Sequence, residues 1–175
     1  MTLNYSKTMK YAKLGSISHG TLRPEDLLST FISALEGMMH VNGDYFSRPE
    51  NFAHRDRLNN LIGDAQDCFT EDGEDIDPAK EDIASALINE ELPDALNEFA
   101  PPYAHFGAHE GDGSDFGYWL EDFDSIKEQV EFVSSSSQEC PSDEFTGEWL
   151  HVNERGNCAL YVRENGQDRE IWSVV

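Results

Sequence analysis

The chain has 175 residues, with 35 Asp and Glu against 12 Lys and Arg, and a formal net charge of −23. A chain of this length normally makes one domain that buries about 70% of its unfolded surface. Its 10 Phe, 6 Tyr and 3 Trp supply a core, so wholesale disorder is excluded despite the charge. Direct docking on DNA, RNA or an anionic membrane is disfavoured as well, because phosphate contacts need Lys and Arg; a basic partner is the natural complement.

The N-terminus, "MTLNYSKTMKYAKLG", carries Lys7, Lys10 and Lys13 and lacks the continuous apolar stretch of a secretion signal. Next, "HGTLRPEDLLSTFISALEGMM" predicts a first helix. Thr21 is placed to cap it, Pro24, Glu25 and Asp26 suit its first turn, and Leu27, Leu28, Phe31, Ile32 and Leu35 form one apolar stripe. "VNGDYFSRPEN" reads as a loop, marked by Asn42-Gly43 and Pro49. A second helix is expected from about Phe52 to Phe69, with Leu58, Leu61, Ile62, Ala65 and Phe69 inward.

The acidic loop "TEDGEDIDP" follows, and Asp77-Pro78 opens a third helix carrying Ile83, Leu87 and Ile88. Pro93 is expected to break or kink it, "DALNEFA" to resume it, and Pro101-Pro102 to end it. "FGAHEGDGSDFG" holds four glycines, three carboxylates and His109. It reads most simply as a turn feeding an aromatic strand, with Asp112 and Ser114 bonding nearby amides. "SSSSQECPSD" is expected to be a flexible surface loop. "GEWLHVN", "NCALYVREN" and "DREIWSVV" then alternate like strands of an antiparallel meander, turning near Gly156 and at Asn165-Gly166, and a further strand near Phe116–Leu120 is expected to join it.

Helices first and strands afterwards predict an α+β fold. The expected organisation is a single domain over residues 1–175. A mainly helical part, 1–100, packs with a mainly β part, 101–175, whose antiparallel meander has three to four strands.

Few patterns carry catalytic chemistry. His105 and His109, with Glu110, Asp112 and Asp115, are the one set that could bind a divalent cation or serve a metal-dependent enzyme. The prolines and glycines around them oppose the helix that would pair the two imidazoles, and neither the zinc-protease nor the EF-hand order is present. Cys68 and Cys158 read as small core residues, and Cys140 lies among acids that would raise a thiol pKa. Three widely spaced cysteines suit reduced thiols. No phosphate-cradling loop, dinucleotide fingerprint or paired Cys-x-x-Cys occurs, and no stretch reaches the ~20 apolar residues of a membrane span. The expectation is a protein of the cytosol that is not an enzyme and uses no metal or cofactor.

The distribution of charge is more telling. Residues 64–98 hold thirteen acids against Lys80 alone, and residues 110–148 hold twelve against Lys127 alone. Like charges so concentrated oppose compactness, which makes one block or both a candidate partner-binding surface. In the first block the candidates are Asp64, Asp67, Glu71, Asp72, Glu74, Asp75, Asp77, Glu81 and Asp82. In the second they are Glu110, Asp112, Asp115, Glu121, Asp122 and Asp124.

Three stretches, "KLGSISHGTLRPEDLL", "ALNEFAPPYAHFGAHEGDGSDFGYW" and "LHVNERGNCALYVRENGQDREIWSVV", resemble a family of small, mostly uncharacterised proteins of phages, plasmids and other mobile elements. The resemblance implies a genetic context rather than a chemistry. In that context strongly acidic small proteins look like anti-CRISPR or anti-restriction inhibitors, some of which imitate the charge of nucleic acid. The functional expectation is therefore a stoichiometric inhibitor that occupies the basic nucleic-acid channel of a host defence complex. The alternatives are a metal-dependent enzyme using the His105–Asp115 set, and an acidic regulatory module that binds protein.

Overall fold

The computed structural model describes residues 9–135 and 140–175; Lys7 and residues 136–139 of the serine loop lie outside them. Two sheets and a set of helices make an α+β fold, as the element order predicts. The described residues divide into a helical unit, residues 9–100 with His105–Trp119, and a sheet unit, Pro101–Ala104 with Leu120–Val175. Each is described by itself.

In the helical unit, α1 (Pro24–Val41) buries the apolar stripe expected of it. Its start differs from expectation: Arg23 is the N-cap residue and contributes no side-chain cap. Thr21 acts two residues earlier, accepting from the Arg23 amide (3.2 Å) and donating to Asp26 Oδ2 (2.7 Å). The segment read as a loop after α1 contains the one-turn helix α2 (Gly43–Phe46) and a 3-10 turn, Pro49–Asn51. Buried Asn42 organises it, its side chain donating to the carbonyls of Met38 (2.9 Å) and Lys10 (3.1 Å).

Helix α3 (Phe52–Gln66) follows, then α4 (Glu81–Ala86), a π-helical turn Leu87–Glu91, and α5 (Leu92–Asn97). Pro93 therefore does not interrupt the rod. Proline lacks the amide that would reach the carbonyl four residues back and crowds that carbonyl; the wider π turn just before it absorbs both defects. Ile83 is 53% exposed, and Ala84 takes the buried position beside Leu87 and Ile88.

The helices share their core with a small sheet that the sequence pattern does not announce. It has the order β1-β3-β2, from β1 (Gly15–Ser18), β2 (Ala104–His109) and β3 (Asp112–Leu120). Phe116–Leu120 thus belongs here and not to the C-terminal meander. Phe31 of α1 meets Phe106 and Phe116 edge-on, with centroids 5.3 and 5.4 Å apart. The Tyr118 hydroxyl donates to the Leu96 carbonyl (3.1 Å). Gly117 is what lets β1 approach β3, since a Cβ there would lie 2.2 Å from the Gly15 carbonyl oxygen.

The sheet unit contains α6 (Phe123–Gln129), which the sequence does not flag, and a second sheet of β4 (Phe132–Ser134), β5 (Gly147–Val152), β6 (Cys158–Glu164) and β7 (Gln167–Val174). Strands β5-β6-β7 form the expected antiparallel meander, and its fourth strand is β4, parallel to β5. Ser134, assigned by sequence to the serine loop, is a buried β4 residue. Asn165 (φ 54°) and Gly166 (φ 73°) make the β6–β7 turn with both central residues at positive φ. Buried Arg163 forms a fork on Asp168, with Nε–Oδ1 at 2.7 Å and Nη2–Oδ2 at 2.6 Å, and also donates to the carbonyls of Pro141 and Ser142. Cys68 and Cys158 are buried free thiols, and Cys140 is exposed. No helix among the described residues is long and apolar enough to cross a membrane.

Candidate interaction surface

The acids of the first block fall into two groups once their surroundings are known. Some serve the fold. Asp72 accepts from the Thr70 hydroxyl (2.6 Å) and the Glu74 amide (3.2 Å), and these bonds, the hydroxyl first, hold its carboxyl below the usual range. Asp77 caps the 3-10 turn Pro78–Lys80 through the Ala79 amide (2.9 Å). Glu81 and Asp82 stand in the first turn of α4, where the helix dipole favours negative charge. Glu98, outside the candidate set, pairs with His54 and Arg57.

The others have no such explanation. Asp64 lies near the C-terminal end of α3 and Asp67 is its C-cap; an acid is unfavourable at this end, and the last turn has no basic residue. Glu71, Glu74 and Asp75 stand exposed on the loop that follows. That loop is ordered by Thr70 N–Asp75 O and Asp77 N–Cys68 O bonds (both 2.9 Å) and by a bridge between Phe69 and Ile76. The only cation of the block, Lys80, turns its ammonium to the Asp67 main-chain carbonyl. Five carboxylates of one helix end and its loop thus face solvent without ion-pair partners among the described residues. Next to them, a groove of about 590 Å³ between α3 and the α5 region is lined by Asp56, Asp64, Glu91 and Asp94, with Arg57 at its side.

The second block does not form one set. Glu110, Asp112 and Asp115 lie in the helical unit, whereas Glu121, Asp122 and Asp124 lie in the sheet unit. Asp112 accepts from the Ser114 amide (2.9 Å) and hydroxyl (2.8 Å), as expected of a turn, and these bonds lower its carboxyl pKa. Asp115, counted among the surface acids, is only partly exposed, and its Oδ1 is enclosed without a hydrogen-bond partner among the described residues. Asp122 caps α6 through the Ser125 amide (3.0 Å), and Asp124 pairs with Lys127 (3.0 Å). Glu110 and Glu121 remain as exposed acids without a structural task.

The His105–Asp115 set is drawn out along a hairpin. His105 and His109 are exposed residues of β2. His109 lies edge-on to Trp119, 4.6 Å between centroids, and its Nδ1 accepts from the Gly111 amide (3.1 Å). Among the described residues no three His, Cys, Asp or Glu side chains gather to hold a metal ion.

One ionisable site is not anticipated from sequence. Glu148 on β5 is 7% exposed, and its Oε2 accepts from the Tyr103 hydroxyl at 2.5 Å while Oε1 is buried without a hydrogen-bond partner among the described residues. Burial pushes its carboxyl up to about 7. Tyr103 sits at φ 61°, with its carbonyl accepting from the Glu121 amide (2.8 Å). Burial raises the phenol pKa, and the charges of Glu131 and Glu121 raise it further. The signal was present in the alternation of "GEWLHV", which puts Glu148 on the same face as Leu150.

Comparison of the chain with known protein families, with curated proteins and with solved structures finds no match.

Proposed function

We propose that the protein is a stoichiometric binder of a basic, nucleic-acid-handling surface, and that its setting is the inhibition of a host defence complex of the anti-CRISPR or anti-restriction kind. One observation carries the reading: Asp64, Asp67, Glu71, Glu74 and Asp75 are exposed on one helix end and the loop after it, without ion-pair partners among the described residues, and the block's lone lysine is turned to a main-chain carbonyl. Two of these charges oppose a helix dipole. A nucleic-acid channel holds Lys and Arg at phosphate spacing, so a folded array of carboxylates can enter it and be steered there by the same field. The defence setting rests on the resemblance to mobile-element proteins. The enzymatic alternative needs the His105–Asp115 side chains to converge, and the hairpin spreads them along two strands.

The test is competition. Defence nucleases and their guide complexes are immobilised with and without bound DNA or RNA, and binding of the purified chain is followed across a salt series. Nucleic acid that displaces the protein, with affinity falling steeply as salt rises, supports the proposal. Binding that nucleic acid leaves untouched would overturn it.

A further inference from the structure

A cleft of about 480 Å³ opens in the helical unit where the residues leading into α1, helix α4, strand β3 and the acidic loop meet. Leu22, Ile76 and Phe116 contribute apolar surface to it, and Leu22 is 63% exposed. Glu25, Asp75 and Glu81 line it too. Glu25 is held by Arg23, whereas Asp75 and Glu81 have no ion pair among the described residues. The combination restricts the occupant. A purely cationic chain would leave the apolar wall wet, and a neutral apolar ligand would desolvate carboxylates without pairing them.

We infer that this cleft receives a basic amphipathic helix of the protein partner. Apolar side chains one helical turn apart enter the cleft, and flanking Lys or Arg meet Asp75 and Glu81. Its volume falls in the range of built ligand pockets and takes more than one side chain, as helix-in-groove recognition requires. The inference rests on the proposed function for the partner's basic character and adds what charge alone lacks, a fixed register. Long-range attraction gives rate and orientation; a filled apolar socket gives residence.

The probes are two fluorescent synthetic helices with the same lysines. One bears leucines at i and i+4, and the other has glutamine at both positions. Anisotropy with the wild-type chain should show the leucine probe binding about tenfold tighter or better, as burial of one or two leucines implies. Ser85→Trp, at an exposed residue lining the cleft, should erase that advantage and leave the glutamine probe unaffected. Leu22→Gln, at a second exposed position, should do the same without changing the charge of the cleft, and a thermal melt of each variant checks that it folds. Equal binding of the two probes to the wild type, or an advantage that survives both variants, overturns the cleft assignment even where competition with nucleic acid persists. A leucine advantage lost in both variants sustains the cleft, even where that competition is absent and the proposed function fails.

Discussion

Replacing Glu148 by Gln tests the buried carboxyl in a way that a simple loss of stability would not. In the folded chain this group titrates at about 7, against an ordinary 4.5. Between these values the folded state holds a proton that the unfolded state has released, so stability falls as pH rises through the window. Each decade is worth about 1.4 kcal/mol, so the fall reaches at most about 3 kcal/mol and is complete above pH ~8. Glutamine keeps an acceptor for the Tyr103 hydroxyl and cannot ionise. Urea unfolding of both proteins between pH 5 and pH 8.5 gives the difference directly, since the other ionisable groups, histidines included, are common to both. The opposite contribution of Asp168, whose carboxyl the Arg163 fork holds low, is lost only as pH falls through the acid range below this window. The wild type should lose up to about 3 kcal/mol more than Glu148→Gln across the range. Parallel pH profiles would refute the buried, proton-holding carboxyl.

Two further outcomes follow from the geometry. Gly166→Val places a β-branched residue at φ 73° where its Cβ meets only ordinary contact, 3.8 Å from the Asp143 carbonyl oxygen. Backbone strain alone should cost about 1 kcal/mol or more by urea denaturation, and no change would argue against the turn. Asp122→Ala removes the α6 cap and should cost about 1 kcal/mol, whereas Glu121→Ala, which caps nothing, should fall within ±0.5 kcal/mol.

The long periodic elements were legible because one period and one buried face suffice to define them. The α1 stripe and the alternation of β5 to β7 are such cases, and Asn165-Gly166 named its own turn. The small sheet was hidden because β1 has only four residues, and its pairing depends on Gly117, whose role exists only once β1 lies against it. Helix α6 was masked by its polarity, with Ile126 its only buried residue. The π turn before Pro93 shows tertiary packing overriding a local breaker signal. Among the candidate acids, composition gave the charge but not its use. Asp72, Asp77, Asp112 and Asp122 bind backbone amides two or three residues away; Asp112 was read so from sequence, and the same Asx-type spacing could have flagged the other three. Glu148 was counted as surface charge although its strand parity placed it inside.

The unopposed acids after α3 are the centre of the account, and reversing them while sparing the residues that hold the loop tests it most directly. The triple variant Glu71→Lys, Glu74→Lys, Asp75→Lys leaves Asp72 on Thr70 and Asp77 on Ala79, so the loop should persist and the melting temperature should change little. The measurement is the affinity of wild type and variant for the same immobilised basic nucleic-acid enzyme, taken across a salt series. The account predicts that the variant binds at least tenfold more weakly at low salt, with a shallower salt dependence. Unchanged affinity and unchanged salt slope in a folded variant would contradict it.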